Sequence, residues 1–169
     1  MGAEMNEQVM RETVLHADGP EGTARVAAAL APHLHAGDAV LLTGELAAGK
    51  TTFVSALVAA LGSSDAVSSP TFSLAQFYAT PGPRVLHVDT YRLTDLTEFR
   101  DLGLDEYLDE VVALVEWGDL VSGEFVDPLR MHLAVAGPDD PTGREITVRG
   151  GSRWEPVMDA LAAVGGSPA

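Results

Sequence analysis

A three-layer α/β sandwich, with parallel central strands and added antiparallel strands, is the fold class that three features of the 169-residue sequence predict. One is a short apolar run, Val40-Leu41-Leu42, that leads into Gly44-Glu45-Leu46-Ala47-Ala48-Gly49-Lys50-Thr51 and then into a helical pattern from Thr52 to Leu61 that stops at Gly62. Another is a pair of apolar runs that each end in an acid, Val85–Val88 before Asp89 and Val111–Val115 before Glu116. The last is turn chemistry at Pro81-Gly82-Pro83 and at Gly137–Gly143, each between strand-like runs, which reads as two antiparallel hairpins.

The stretch Gly44–Thr51 matches G-x-x-x-x-G-K-[ST], the phosphate-binding loop, and strand, loop and helix come in the required order. The expected fold is therefore P-loop NTPase-like. Such a loop must turn several backbone N–H groups into one concavity, which glycines at positions 44 and 49 permit, and it opens into a helix N-terminus that favours anions. Lys50, the only lysine in the chain, brings positive charge to the β- and γ-phosphates, and the Thr51 hydroxyl is placed to ligate Mg²⁺.

The length suits a single domain, expected over residues 12–164, between a flexible N-terminus at 1–11 and a flexible tail at 165–169. The absence of cysteine excludes disulfides, thiolate metal sites and cysteine nucleophiles, and fits a reducing cytoplasm. The N-terminus lacks signal-peptide regions, and no apolar run reaches the roughly 18 residues of a membrane span, so a soluble cytoplasmic protein is expected with no membrane contact. A net charge of −15 argues against strong direct binding of nucleic acid. On so acidic a body the phosphates of a nucleotide must rely on backbone amides, Lys50 and Mg²⁺.

In chain order, Glu12–His16 reads as a short strand. Gly19-Pro20-Glu21-Gly22 reads as a break, after which Thr23 caps a helix with Val26, Ala27, Leu30 and Leu34 on one face. Gly37-Asp38 turns the chain into the strand before the phosphate loop. Ser73–Tyr78 and Arg84–Asp89 form the first hairpin. Thr94–Asp109 reads as helical with a break near Gly103; its seven acids between Asp95 and Glu110, against Arg100, read as a solvated face in preference to an acidic docking surface. Val111–Val115 is a dense β-branched central strand. Leu129–Ala136 and Glu145–Arg149 make the second hairpin, and a helix from Ser152 to Val164 closes the fold.

A phosphate loop binds without hydrolysing, so acids are needed to hold metal-bound water or an attacking water. Asp89 and Glu116 stand at the C-terminal ends of their strands, where open α/β sheets place ligands, and are the candidate catalytic residues. Arg92 reads equally as a phosphate or partner contact and as a surface salt bridge. Trp117 reads equally as core packing and as a neighbour of the nucleotide. Tyr91 reads as structural, and His87, alternating with Val88, as a satisfied side chain on the far face. The five histidines show no metal-ligand spacing, and H-E-x-x-H and G-x-S-x-G are absent, which removes zinc and serine-hydrolase readings.

Four blocks in order carry a family resemblance: the helix opening at Thr23 ahead of Gly44–Thr52; Ser69-Pro70-Thr71-Phe72; His87-Val88-Asp89-Thr90-Tyr91-Arg92-Leu93; and Val115-Glu116-Trp117. Together they cover most of residues 20–150, and the chain resembles the TsaE (YjeE) family, P-loop ATPases of bacterial tRNA threonylcarbamoyladenosine biosynthesis. The resemblance implies Mg²⁺-dependent ATP hydrolysis that supports a complex of TsaB and TsaD. ATP binding is implied for Thr23, Gly44, Glu45, Leu46, Ala47, Ala48, Gly49, Lys50, Thr51 and Thr52. A metal role is implied for Thr51 and Glu116, a catalytic position for Asp89, and nucleotide sensitivity for the Ser69–Phe72 loop. This chain departs from the usual loop, Gly-Asp-Leu-Gly-Ala-Gly-Lys-Thr, by having Glu45 for Asp and Ala47 for the second Gly; Ala47 is harder to accommodate if its backbone needs a positive φ.

Three classes of function fit these residues: partner-coupled ATP hydrolysis, a small-molecule kinase, and a nucleotide-dependent binding module. A kinase brings basic residues over the phosphates from a lid, and the sequence offers no Arg-rich segment for one. Asp89 and Glu116 weigh against a module without turnover.

Overall fold

The strand that feeds the phosphate loop, β2 (Ala39–Thr43), lies at the middle of a seven-stranded sheet ordered β1-β7-β6-β2-β5-β4-β3. The computed structural model describes residues 10–45, 47–65, 67 and 75–165. Its elements are β1 (Arg11–Ala17), α1 (Gly19–Leu30), β2, α2 (Lys50–Ala60), β3 (Ala75–Tyr78), β4 (Val85–Asp89), α3 (Leu96–Asp101), β5 (Val112–Glu116), β6 (Leu129–Gly137), β7 (Asp140–Gly150) and α4 (Glu155–Val164), with 3₁₀ turns between some of them.

Strands β6, β2, β5 and β4 run parallel to one another, while β3 on β4, β7 on β6 and β1 on β7 are antiparallel. This is the α/β sandwich with parallel central strands and added antiparallel ones. Alternation sends successive side chains to opposite faces. Val40, Leu42, Leu114 and Met131 join α1, α2 and α4 in one buried layer with Phe53, Leu57 and Trp154. Leu41, Val88, Ala113 and Val115 meet Phe99 of α3, Leu104 and Val121 on the other side. Strands β2, β5 and β4 are thus buried on both faces, the condition that explains their continuous apolar runs, while β6 alternates buried and more exposed residues.

Three sequence expectations change. The helix expected to be capped by Thr23 begins a turn earlier, at Gly19 behind Asp18, and Thr23 is a buried residue within α1. Gly19-Pro20 starts this helix instead of breaking the chain: Pro in the first turn lacks only an N–H that would have no helical acceptor. The helical reading of Thr94–Asp109 resolves into a short α3 and a 3₁₀ turn at Asp105–Tyr107. Asp95 caps α3 by accepting from the Glu98 N–H at 3.0 Å, and Gly103 at φ +68° ends it. The second hairpin turns more tightly than Gly137–Gly143 suggests, because Gly137 pairs directly with Asp140 and a bulge between Val135 and Gly137 absorbs the irregularity.

Arg11 is the first residue of β1, paired with Gly150 and bridged to Asp159 of α4 at 2.8 Å. The Ser69–Phe72 loop, Leu46, most of the N-terminus assigned to 1–11 and most of the tail at 165–169 lie outside the described residues. No helix among the described residues is long and apolar enough to cross a membrane.

Candidate functional site

Backbone shape at the end of β2 follows from two glycines and one strained alanine. Gly44 has φ +143°, and a Cβ there would stand 2.3 Å from the Leu133 carbonyl oxygen of β6, so no side chain fits. Gly49 at φ +102° turns the loop into α2. Between them Ala47 sits at φ +65°, left-handed backbone that an L-residue adopts at a cost of about 1 kcal/mol. The departure at position 47 is therefore a real conformational cost. The Ala48 N–H donates to the Glu45 carbonyl at 3.0 Å and closes the turn.

The first helical bond of α2 runs from the Phe53 N–H to the Gly49 carbonyl at 2.8 Å. The N–H groups of Gly49, Lys50, Thr51 and Thr52 precede it and have no acceptor within the helix, and no side chain caps this end. That cluster of donors, with the positive end of the helix dipole, fits a phosphate group.

Lys50 is buried, and its Nζ donates to the Gly44 carbonyl at 2.7 Å and the Glu45 carbonyl at 2.9 Å. The Trp117 ring centroid lies 4.1 Å from that Nζ, a cation–π contact. Burial pulls the Lys50 ammonium below the usual lysine range, opposed by the nearby carboxylates of Glu116 and Asp89.

Glu116, 3% exposed, is the hub. Its carboxylate accepts from the Thr51 hydroxyl at 2.9 Å through Oε1 and at 3.2 Å through Oε2. Oε2 also meets His87 Nε2 at 2.5 Å. The Glu116 carbonyl accepts from the Thr90 hydroxyl at 2.9 Å, and Thr90 bonds the Trp117 carbonyl as well at 2.7 Å. A hydroxyl and a carboxylate in contact at the phosphate end of a loop form the hard-oxygen set that suits Mg²⁺, which takes one or two protein oxygens and completes its shell with phosphate and water.

Asp89 is the register partner of Glu116 across β4 and β5, and Leu42 of β2 is the partner on the other side. The three strand ends are level, so both acids face the loop. Asp89 Oδ1 also accepts from the Tyr91 N–H at 3.0 Å. Trp117 follows at φ +61° with its N–H on the Leu42 carbonyl at 2.7 Å, and Tyr91, more than half exposed, packs against it in a tilted ring contact at 5.0 Å between centroids. Trp117 is thus a wall of the site.

His87 overturns its sequence reading. It is fully buried and bonded to Glu116, on the site's side of β4. The alternation that carries Val88 away is what brings His87 and Asp89, two apart, to one face. Glu45 and Ala47 are exposed on the loop, Ala48 is buried beneath it and Thr52 is exposed on α2. Thr23 makes no hydrogen bond with the loop among the described residues, and Arg92 is exposed. Arg144 was not foreseen: its Nε donates to the Ala48 carbonyl at 2.7 Å, tying the loop to β7. No local pattern signals a contact of this separation; His87 was legible from its spacing to Asp89.

Fold and site together define a P-loop-type α/β protein. The sequence model of the family described as "Threonylcarbamoyl adenosine biosynthesis protein TsaE" matches residues 17–146. The chain is 45% identical over 132 residues to the tRNA threonylcarbamoyladenosine biosynthesis protein TsaE of Streptomyces coelicolor, covering 74% of this chain and 88% of that one. The Bacillus subtilis protein of the same name is 38% identical over 146 residues, covering 85% and 89%. The crystal structure of Bacillus subtilis YdiB superposes with a TM-score of 0.72 at 30% identity, over 92% of this chain and 97% of that one. The chain belongs to the TsaE family.

Proposed function

We propose that this protein is a Mg²⁺-dependent ATPase that supports tRNA threonylcarbamoyladenosine modification by driving or resetting a complex of TsaB and TsaD in the cytoplasm. The observation that carries the reading is the Thr51–Glu116 contact at 2.9 Å, set beside Lys50 at the mouth of a phosphate loop.

The free N–H groups at the start of α2 hold the phosphates, and Lys50 leaves its carbonyl partners to reach the β- and γ-oxygens. Thr51 and Glu116 would hold Mg²⁺, which when bound would neutralise charge on the transferring phosphoryl group. Asp89 orients a water molecule and accepts its proton as the water oxygen bonds the γ-phosphorus. The bond from that phosphorus to the bridging oxygen breaks, and ADP leaves with the electron pair. Family membership supports ATP as the nucleotide and the partner complex as the site of work. Changes at the γ-phosphate then pass to the Ser69–Phe72 loop and to the partner.

Phosphate release from Mg·ATP by the purified chain, alone and with a TsaB–TsaD pair from the same cell, tests this function. A slow rate that the pair raises is expected. A rate indifferent to the pair overturns the coupled role.

A further inference from the structure

His87 combines two facts that a space-filling core residue would not need. Its Nε2 meets the Glu116 carboxylate at 2.5 Å, while its Nδ1 is buried without a hydrogen-bond partner, the one such side-chain atom among the described residues. An apolar side chain would fill the same volume against Tyr78 without leaving a buried nitrogen unpaired. The cost at Nδ1 therefore accompanies a requirement at Nε2. An N–H at Nδ1 would find no acceptor, so the bonding pattern places the ring hydrogen on Nε2, where it points at Glu116.

We propose that His87 is a positioning residue for Glu116: by donating to Oε2 it fixes the plane of the carboxylate and reserves Oε1 for Thr51 and for the metal. This deepens the nucleotide–Mg²⁺ reading above and rests on it. Glu116 has two oxygens and a Thr51 hydroxyl within reach of both, at 2.9 and 3.2 Å. Without a second donor the carboxylate can turn about its terminal torsion, which is a broad and nearly two-fold one. The His87 ring hangs from the interior of β4, a strand buried between β3 and β5, and has few rotamers to choose from. Asp89 lies two residues along the same face, so one strand sets both the orientation of Glu116 and the position of Asp89. Groups that orient a metal ligand in this way weaken metal binding by about 10- to 100-fold when removed.

The test is Mn²⁺ affinity, read by electron paramagnetic resonance of the free ion, in chain saturated with an ATP analogue that cannot be hydrolysed. His87→Leu is expected to weaken Mn²⁺ binding by about 10- to 100-fold, with affinity for the analogue in EDTA unchanged. His87→Gln, whose amide nitrogen reaches the place of Nε2, is expected to restore most of it, and the shorter His87→Asn is not. The Gln–Asn pair keeps the comparison meaningful if the Leu variant does not fold. Equal Mn²⁺ affinity in wild type, Gln and Asn variants overturns the positioning role, as does a parallel loss of Mn²⁺ and metal-free analogue binding. Analogue binding by wild type that ignores the metal instead overturns the Mg²⁺ reading itself.

Discussion

Asp89 and Glu116 are register partners at the ends of adjacent parallel strands, β4 and β5, with Leu42 of the loop strand level beside them. Backbone pairing alone therefore delivers two carboxylates side by side at the phosphate loop. Glu116 accepts from the Thr51 hydroxyl, and the proposed reading gives Glu116 the metal and Asp89 the water.

Replacing Glu116 by Ala should separate hydrolysis from binding. The loop amides and Lys50 remain, so ATP affinity without metal should change little, while turnover falls by about 10²- to 10³-fold, the loss expected when one group stabilising the transition state is removed. Phosphate release and ATP titration on the same preparation check this; equal losses would return Glu116 to a structural role.

Ala47→Gly should stabilise the chain. The left-handed backbone at φ +65° costs Ala about 1 kcal/mol that Gly does not incur, and the residue is exposed, so little packing is lost. Urea unfolding should show a midpoint shifted upward at unchanged slope.

Arg144→Ala should loosen the loop from β7. Its charged bond to the Ala48 carbonyl, 2.7 Å long, contributes on the order of 1.5–3 kcal/mol in such contexts, and if that energy shapes the loop, ATP affinity should fall by roughly tenfold. Calorimetric titration reads this, and a shift in stability alone would limit Arg144 to holding the hairpin.

Trp117 should report nucleotide. If Lys50 leaves the ring, now 4.1 Å from its ammonium, to meet phosphate, tryptophan emission should change on adding Mg·ATP. Trp117→Phe should abolish the change, because the remaining Trp154 is buried in the α-helical layer.

The core of the site was legible because its signals are local. Strand, loop and helix from Ala39 to Ala60 are contiguous, and acids closing apolar runs mark strand ends without knowledge of the partner strands. What failed was either a choice between two local readings or a contact across the chain. Pro20 fits both a helix start and a chain break, and its neighbours do not decide which; the cap expected at Thr23 falls at Asp18, with Thr23 inside α1. His87 alternates with Val88 but shares its face with Asp89, two residues on, and that second spacing carries the information. Arg144 meets Ala48 only because β7 returns beside β6, a tertiary fact with no counterpart in the residues around either.

The most direct measurement of the central claim is calorimetric titration of ATP with excess Mg²⁺ into the wild-type chain and into Lys50→Ala. One nucleotide bound per wild-type chain, with affinity lost by tenfold or more in the variant, as expected for a buried charge-assisted contact of about 1.5–3 kcal/mol, is the predicted result. No binding by wild type, or equal binding by both, would contradict the account.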